Sequence, residues 1–242
     1  MKAFNQRMLD SAGEKHSRVV LALDFWEPYD SRLRRARGVL EQTKNRIAAV
    51  KVNHHLLLPY GLEGLRSLIA TCRGEGLPLI ADLKINDIES TNLNAVESLF
   101  AYGFDSLIAN PFVGREEGLG GVVERVHELK GGILFLVYMS HGGSREGYGL
   151  RIEGGAPLYT VFAERAMAWG ADGVIVSAKS PDKIKETRKI IGKERLIFSP
   201  GVGAQGGGAR ASVSAGTDFL IVGRSVTESS DPGRVVDDLN AG

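Results

Sequence analysis

The stretch Ile80-Ala-Asp-Leu-Lys-Ile-Asn-Asp-Ile-Glu-Ser-Thr91 joins a strand pattern to a helix start. It completes an apolar run, Leu77-Pro-Leu-Ile-Ala81, that reads as a buried strand, and a strand sends residues i and i+2 to the same face. Asp82 and Lys84 therefore point the same way. Asp87 follows where the chain turns into a helix, so the spacing Asp-x-Lys-x-x-Asp lets a second carboxylate reach the ammonium from its other side. Two anions flanking one buried cation favour the charged form of all three groups. The expectation is a buried Lys84 held protonated, as an acid. A surface salt bridge at a strand end is the plainer reading of an Asp-x-Lys pair. However, Asp24 ends the apolar run Val19-Val-Leu-Ala-Leu23, and Lys51 ends Ile47-Ala-Ala-Val50. Four charged side chains finishing three apolar strands point to a site.

Outward from this stretch, short apolar runs alternate with helix-like segments to the C-terminus. Strands are expected near 19–24, 47–52, 78–83, 105–109, 132–139, 172–177, 195–199 and 218–222. Each is followed by a helical pattern, such as Leu93, Val96, Leu99 and Phe100 after the third. Ser180-Pro181 and Asp231-Pro232 place a capping residue before a proline at the first helical position. Eight β/α units in 242 residues predict a single-domain (β/α)8 barrel over 18–242, preceded by a polar arm or short extra helix over 1–17. Active sites of such barrels lie at the C-terminal ends of the strands, where Asp24, Lys51, Asp82 and Lys84 stand.

Formal charge is +1, which offers no electrostatic case for nucleic acid or an anionic membrane. No apolar stretch approaches the ~20 residues of a membrane helix, and the first residues lack a secretory apolar core. The only cysteine, Cys72, excludes an internal disulfide and a thiolate metal cluster. A soluble, cytoplasmic chain is expected. The five histidines, including adjacent His54 and His55, show no ligand spacing, so no metal is expected.

After the seventh strand comes Ser199-Pro-Gly-Val-Gly-Ala-Gln-Gly-Gly-Gly208, and after the eighth Val222-Gly-Arg-Ser225. A glycine-rich loop alone reads equally as a flexible turn. Loops after strands seven and eight are the usual phosphate grip of this barrel, however, and glycines bring backbone N–H groups close to an anion. Arg224 adds a forked donor suited to phosphate oxygens. The run Ser140-His-Gly-Gly-Ser-Arg-Glu-Gly-Tyr-Gly149 lies at the same mouth and could close over a ligand. Ser140 is better placed than His141 to touch it.

The set Leu23-Asp24, Lys51, Asp82-Leu-Lys84-Ile-Asn-Asp87-Ile88, Ser140-His141, Pro200-Gly-Val-Gly-Ala-Gln205 and Gly223-Arg224-Ser225 resembles the orotidine 5′-phosphate decarboxylase family, in its compact archaeal form. The resemblance covers most of the chain, in order. It implies conversion of orotidine 5′-monophosphate to UMP, the last step of de novo pyrimidine nucleotide synthesis, with no metal or organic cofactor. It implies that Lys84 protonates the pyrimidine carbon and that Asp82 lies beside the substrate carboxylate. Lys51 and Asp24 would hold the charged network and the ribose hydroxyls. Ser140 and Gln205 would contact the base, and Gln205 would also reach the phosphate. The loop Pro200, Gly201, Val202 and Gly203, with Gly223 and Arg224, would complete the phosphate end. Asp87, Ile88 and Thr91 match residues that the family lends to a neighbouring subunit, implying a homodimer with shared sites. Two departures stand out: Gly142 replaces a common proline, and Asn53 replaces a frequent glycine.

Related barrels with the same Asp-x-Lys-x-x-Asp element are magnesium-dependent sugar-phosphate decarboxylases and aldolases, which usually carry an acidic residue where this chain has Lys51. A lysine there repels a metal. A non-catalytic nucleotide-binding barrel is the remaining alternative, since barrels of this kind host many functions.

Overall fold

Eight apolar runs pair side by side and in parallel until the last meets the first. The computed structural model describes residues 3–203 and 207–241. Its strands are β1 (Val19–Ala22), β2 (Ala49–Asn53), β3 (Leu79–Ile85), β4 (Ser106–Ala109), β5 (Gly132–Tyr138), β6 (Gly173–Val176), β7 (Leu196–Pro200) and β8 (Phe219–Val222). Sequential strands are neighbours throughout, and β8 closes on β1 with Val19 opposite Leu220 and Leu21 opposite Val222. The chain is a (β/α)8 barrel, with every strand within about two residues of its expected bounds, the usual uncertainty of such boundaries.

An N-terminal helix, α1 (Phe4–Lys15), precedes the barrel. The connections carry α2 (Tyr29–Thr43), α3 (His54–Gly64), α4 (Arg66–Gly74), α5 (Glu89–Tyr102), α6 (Gly120–Glu128), α7 (Leu158–Trp169), α8 (Pro181–Ile191), α9 (Gly207–Ala215), α10 (Arg224–Thr227) and α11 (Pro232–Ala241). Both proline-marked starts are found, but only one is capped as expected. Asp231 Oδ1 accepts from the Arg234 N–H at 3.0 Å, whereas Ser180 makes no side-chain cap to α8. No helix is long and apolar enough to cross a membrane among the described residues.

Strand alternation splits the core in two. Val19, Leu21 and Leu23 join the larger cluster beneath the helices. Val20, Ala22, Leu134, Leu136, Phe198 and Phe219 turn into the barrel. The inward series climbs from apolar to charged: Ala49 lies in the interior cluster and Lys51 and Asn53 follow it on β2, as Asp82 follows Ile80 on β3. The fold therefore delivers the charges to one end.

The opposite end is plugged by α1, which is more than a polar arm. Its Phe4 and Met8 are fully buried in the barrel interior, and Phe4 stacks on Phe198 with centroids 6.4 Å apart. Gly132 makes room for it, because a Cβ there would lie 2.3 Å from the Phe4 ring. Polar contacts fix the helix around this anchor: Ser11 Oγ donates to the Ala48 carbonyl at 2.7 Å, and Asn5 Nδ2 to that of Asp172 at 2.9 Å. His16 ends the helix in the left-handed region at φ 47°.

Removing the anchor should cost stability without touching the mouth. Phe4→Ala is expected to lower unfolding free energy by about 3–5 kcal/mol, read by urea denaturation, with activity per folded molecule retained. Gly132→Ala should behave similarly, by overpacking.

Candidate active site

The four charges at the mouth form an alternating chain. Lys51, only 4% exposed, places Nζ 2.6 Å from Asp82 Oδ2 and 3.6 Å from Asp24 Oδ1. The other oxygen of Asp82 accepts from Lys84 Nζ at 2.6 Å. Asp24, just past β1, is held by Asn53 Nδ2 at 2.6 Å, while its carbonyl accepts from Thr227 Oγ1 at 3.2 Å. Burial pushes the Lys51 ammonium toward neutrality, but the charges of Asp82 and Asp24 outweigh it and raise its pKa above the usual lysine value. Burial likewise opposes ionisation of Asp82, and Lys51 and Lys84 more than offset it, bringing that carboxyl down to about 2. Both shifts favour the charged forms of Lys51 and Asp82.

The geometry corrects the sequence reading in two respects. The amine enclosed by two carboxylates is Lys51; the Lys84 side chain is 34% exposed and has one carboxylate, Asp82. Asp87 does not flank Lys84. Its Oδ1 accepts from the Ile88 N–H at 2.7 Å, its carbonyl from Asn92 Nδ2 at 2.5 Å, and it makes no ion pair with Lys84 among the described residues. Asp87, Ile88 and Thr91 instead lie exposed at the start of α5.

Lys84 is aimed by its backbone as much as by strand alternation. It sits at φ 49°, a region that costs a non-glycine residue roughly 1–2 kcal/mol. The pairing of β3 with β4 shifts there: from Ala81 opposite Leu107 it resumes at Ile85 opposite Ala109. Such a bulge re-aims a side chain beside a site, and here it lets Lys84 and Asp82 meet above the barrel.

These groups share a cavity of about 530 Å³ with the loops after β5, β7 and β8. Ser140, Pro200, Gly201, Val202, Gly203, Gly223 and Arg224 all line it, so the expected phosphate end and the charged array face one space. Gly201 has φ 94°, and a Cβ on it would press on Ser140 Cβ at 3.1 Å. A Cβ on Gly223 would lie 3.2 Å from Asp24 Oδ2, so both glycines let the walls of the cavity approach closely. Ser225 Oγ is buried at this cavity without a hydrogen-bond partner among the described residues, a donor suited to an anionic guest. Gln205 lies outside the described residues.

Sequence reasoning assigned no site role to Asn53, Lys179, Ser225 or Glu228, which also line the cavity. Asn53 was legible from strand alternation, two residues beyond Lys51. Lys179 follows β6 with no motif to mark it. His55 packs edge-on against Trp26 at 4.7 Å, and burial lowers its pKa, in keeping with a structural role. Among the described residues no group of three or more His, Cys, Asp or Glu could hold a metal.

Comparison with known proteins adds sequence likeness to this geometry. Residues 17–239 match the model described as "Orotidine 5'-phosphate decarboxylase / HUMPS family". The orotidine 5′-phosphate decarboxylase of Pyrococcus abyssi is 37% identical over 214 residues, 88% of this chain and 93% of the relative. That of Methanococcoides burtonii is 34% identical over 94% of this chain and 99% of its own. The crystal structure of orotidine 5′-phosphate decarboxylase from Pyrococcus horikoshii OT3 superposes with TM-score 0.76 at 35% identity, covering 92% of this chain and 97% of that one. The enzyme from Methanocaldococcus jannaschii complexed with the inhibitor BMP gives 0.78 at 27% identity, over 93% and 97%. With a match that runs from before β1 to within the last helix, this chain belongs to the orotidine 5′-phosphate decarboxylase / HUMPS family.

Proposed function

We propose that this chain converts orotidine 5′-monophosphate to UMP and carbon dioxide, closing de novo pyrimidine nucleotide synthesis, without a metal or organic cofactor. The alternating Asp24–Lys51–Asp82–Lys84 chain, sharing its cavity with Arg224 and the glycine loops, carries the reading. Lys51 already supplies a cation between two carboxylates, the place a divalent ion would otherwise take. The curated relatives bear the name of this enzyme. We further place it in the cytoplasm, in keeping with a free, buried Cys72.

The chemistry is an electrostatic problem. The bond to the leaving carboxylate breaks, its electron pair stays on a ring carbon with no adjacent carbonyl sink, and carbon dioxide departs. Lys84 attracts the developing negative charge and donates a proton to that carbon; solvent then reprotonates the amine. At 4 Å two unit charges attract by about 4 kcal/mol at an effective dielectric of 20. One contact is therefore insufficient. Asp82 faces the carboxylate that leaves, so their repulsion ends as carbon dioxide forms. Grip on the distant phosphate by Arg224, Gly201, Gly203, Gly223 and Gln205 supplies binding energy that closes the mouth and holds this charged geometry. Ser140 and Gln205 contact the base, Asp24 and Lys51 hold the ribose, and Pro200 and Val202 shape the loop at the phosphate end.

The active form in this reading is a homodimer in which Asp87, Ile88 and Thr91 complete the partner's site. Asp87 precedes the extended cap residue Ile88, and Thr91 lies in the first turn of α5, so all three stand at one helix start. Trp26, Leu58, Ile88 and Phe112 are large apolar side chains left exposed on the connections after β1 to β4, the side of the barrel a second copy would cover.

The decisive assay follows orotidine 5′-monophosphate absorbance after adding chelator-treated protein. Turnover is expected to survive the chelator, and Lys84→Ala to lower it at least about 10³-fold while the barrel still folds. Arg224→Ala should lower kcat/KM by about 10–100-fold through loss of charge-assisted hydrogen bonds. Full activity of Lys84→Ala, or strict magnesium dependence, would overturn the assignment. Shared sites predict that mixing inactive Lys84→Ala with inactive Asp87→Ala restores about a quarter of native activity, since half the reassorted two-fold dimers carry one intact site; no recovery would mean each chain works alone. The Asp82 carboxyl, lowered from 3.8 to about 2, contributes stability that is present above its unfolded pKa and lost as pH falls through the folded one. Urea unfolding should therefore show native stability declining from about pH 4 to about pH 2, with a shallower decline in Asp82→Asn.

A further inference from the structure

A second cavity, of about 550 Å³, opens between the segment after β5 and the start of α8. Four cations line it. Arg145 and Arg151 come from the segment, Lys179 from the turn before α8, and Lys183 from its first turn. Asp182 is the single acidic side chain on its wall. Glu186, one turn further along α8, is engaged by the Tyr159 hydroxyl.

None of the four cations has a carboxylate at ion-pair distance among the described residues. Arg151 donates to the Gly155 carbonyl at 2.6 Å. Lys183 Nζ lies 4.9 and 4.8 Å from the ring centres of Tyr138 and Tyr159. Some other surface cations are neutralised by neighbouring carboxylates. Arg125 is shared by Glu97 and Glu128, and Lys44 by Glu41 and Glu75. Four like charges around one void repel each other, and an anion placed there would relieve that repulsion. Two guanidinium forks and two ammoniums suit the oxygens of a phosphate better than a single carboxylate. The cavity is distinct from the phosphate end of the mouth, since Arg224 is absent from its wall, yet Lys179 lines both.

We propose that this cavity is a second anion site. It takes a phosphate group, free or at the end of a phosphorylated metabolite, and its occupant pins the segment 142–157 to the start of α8. The Arg151–Pro157 bridge within that segment and the Tyr159 hydrogen bond from its N–H to the Tyr148 carbonyl, 2.9 Å, give the pinned unit its shape. Because the segment rises beside Ser140, occupancy would bias closure of the mouth.

The test is titration calorimetry with pyrophosphate on this chain carrying Arg224→Ala, a substitution that removes the main phosphate donor of the mouth. One saturable site is expected to remain, weakened at least about tenfold by Arg145→Gln with Arg151→Gln, and again by Lys183→Gln alone. Added salt should weaken it too. Both arginines are exposed, so their replacement spares the core, and a melting curve verifies folding. Inorganic phosphate binding as tightly as pyrophosphate would identify the free ion as the guest, and weaker binding a larger phosphate ester. Absence of a saturable site in Arg224→Ala, or unchanged affinity in the double arginine variant, would overturn the proposal. The readout needs no turnover, so its failure leaves the decarboxylase reading intact.

Discussion

An ammonium enclosed by two carboxylates ties the mouth of this barrel together. Lys51 reaches Asp82 on one side and Asp24 on the other, joining β2 to β3 and to the segment after β1. Removing one partner of such a buried pair leaves an uncompensated charge and costs about 3–5 kcal/mol. The arrangement therefore has little freedom to relax, and Asn53 limits it further by fixing Asp24 from behind. Lys84, at the open end of the chain, is partly exposed. The enclosed lysine organises the site, and the outer one is free to meet a ligand.

That division follows from the pleat of the strands. One alternation sends Val19, Leu21 and Leu23 under the helices and Val20 and Ala22 into the interior. The inward register then runs from Ala49 to Lys51 along β2 and from Ile80 to Asp82 along β3. Apolar packing below and ionic pairing above are thus successive positions of the same inward rows. The desolvation penalty of the charges is contained because each has a partner within the array.

Much of this was legible because parallel strands buried on both faces read as short, continuous apolar runs that charged residues end abruptly. The eight strands, their order of charges and the glycine loops are readable in the sequence alone. The identity of the enclosed amine is not. Strand alternation put Asp82 and Lys84 on one face but carried no sign that Lys84 adopts φ 49° within a register shift. Asp87 was placed beside Lys84 by spacing alone, whereas the turn into α5 spends its carboxylate on a backbone N–H. Phe4 and Met8 were hidden in a polar-looking segment, because two apolar residues one turn apart are too few to stand out. Lys179 had no motif at all, since its place depends on how α8 meets β6.

The plug formed by α1 has a bearing on traffic. With the interior packed by Val20, Leu134, Phe198 and Phe219 and floored by Phe4 and Met8, the mouth is a blind well. A nucleotide that enters must leave by the way it came, past the same segment beside Ser140. Exit of the product and entry of the next substrate therefore compete for one doorway.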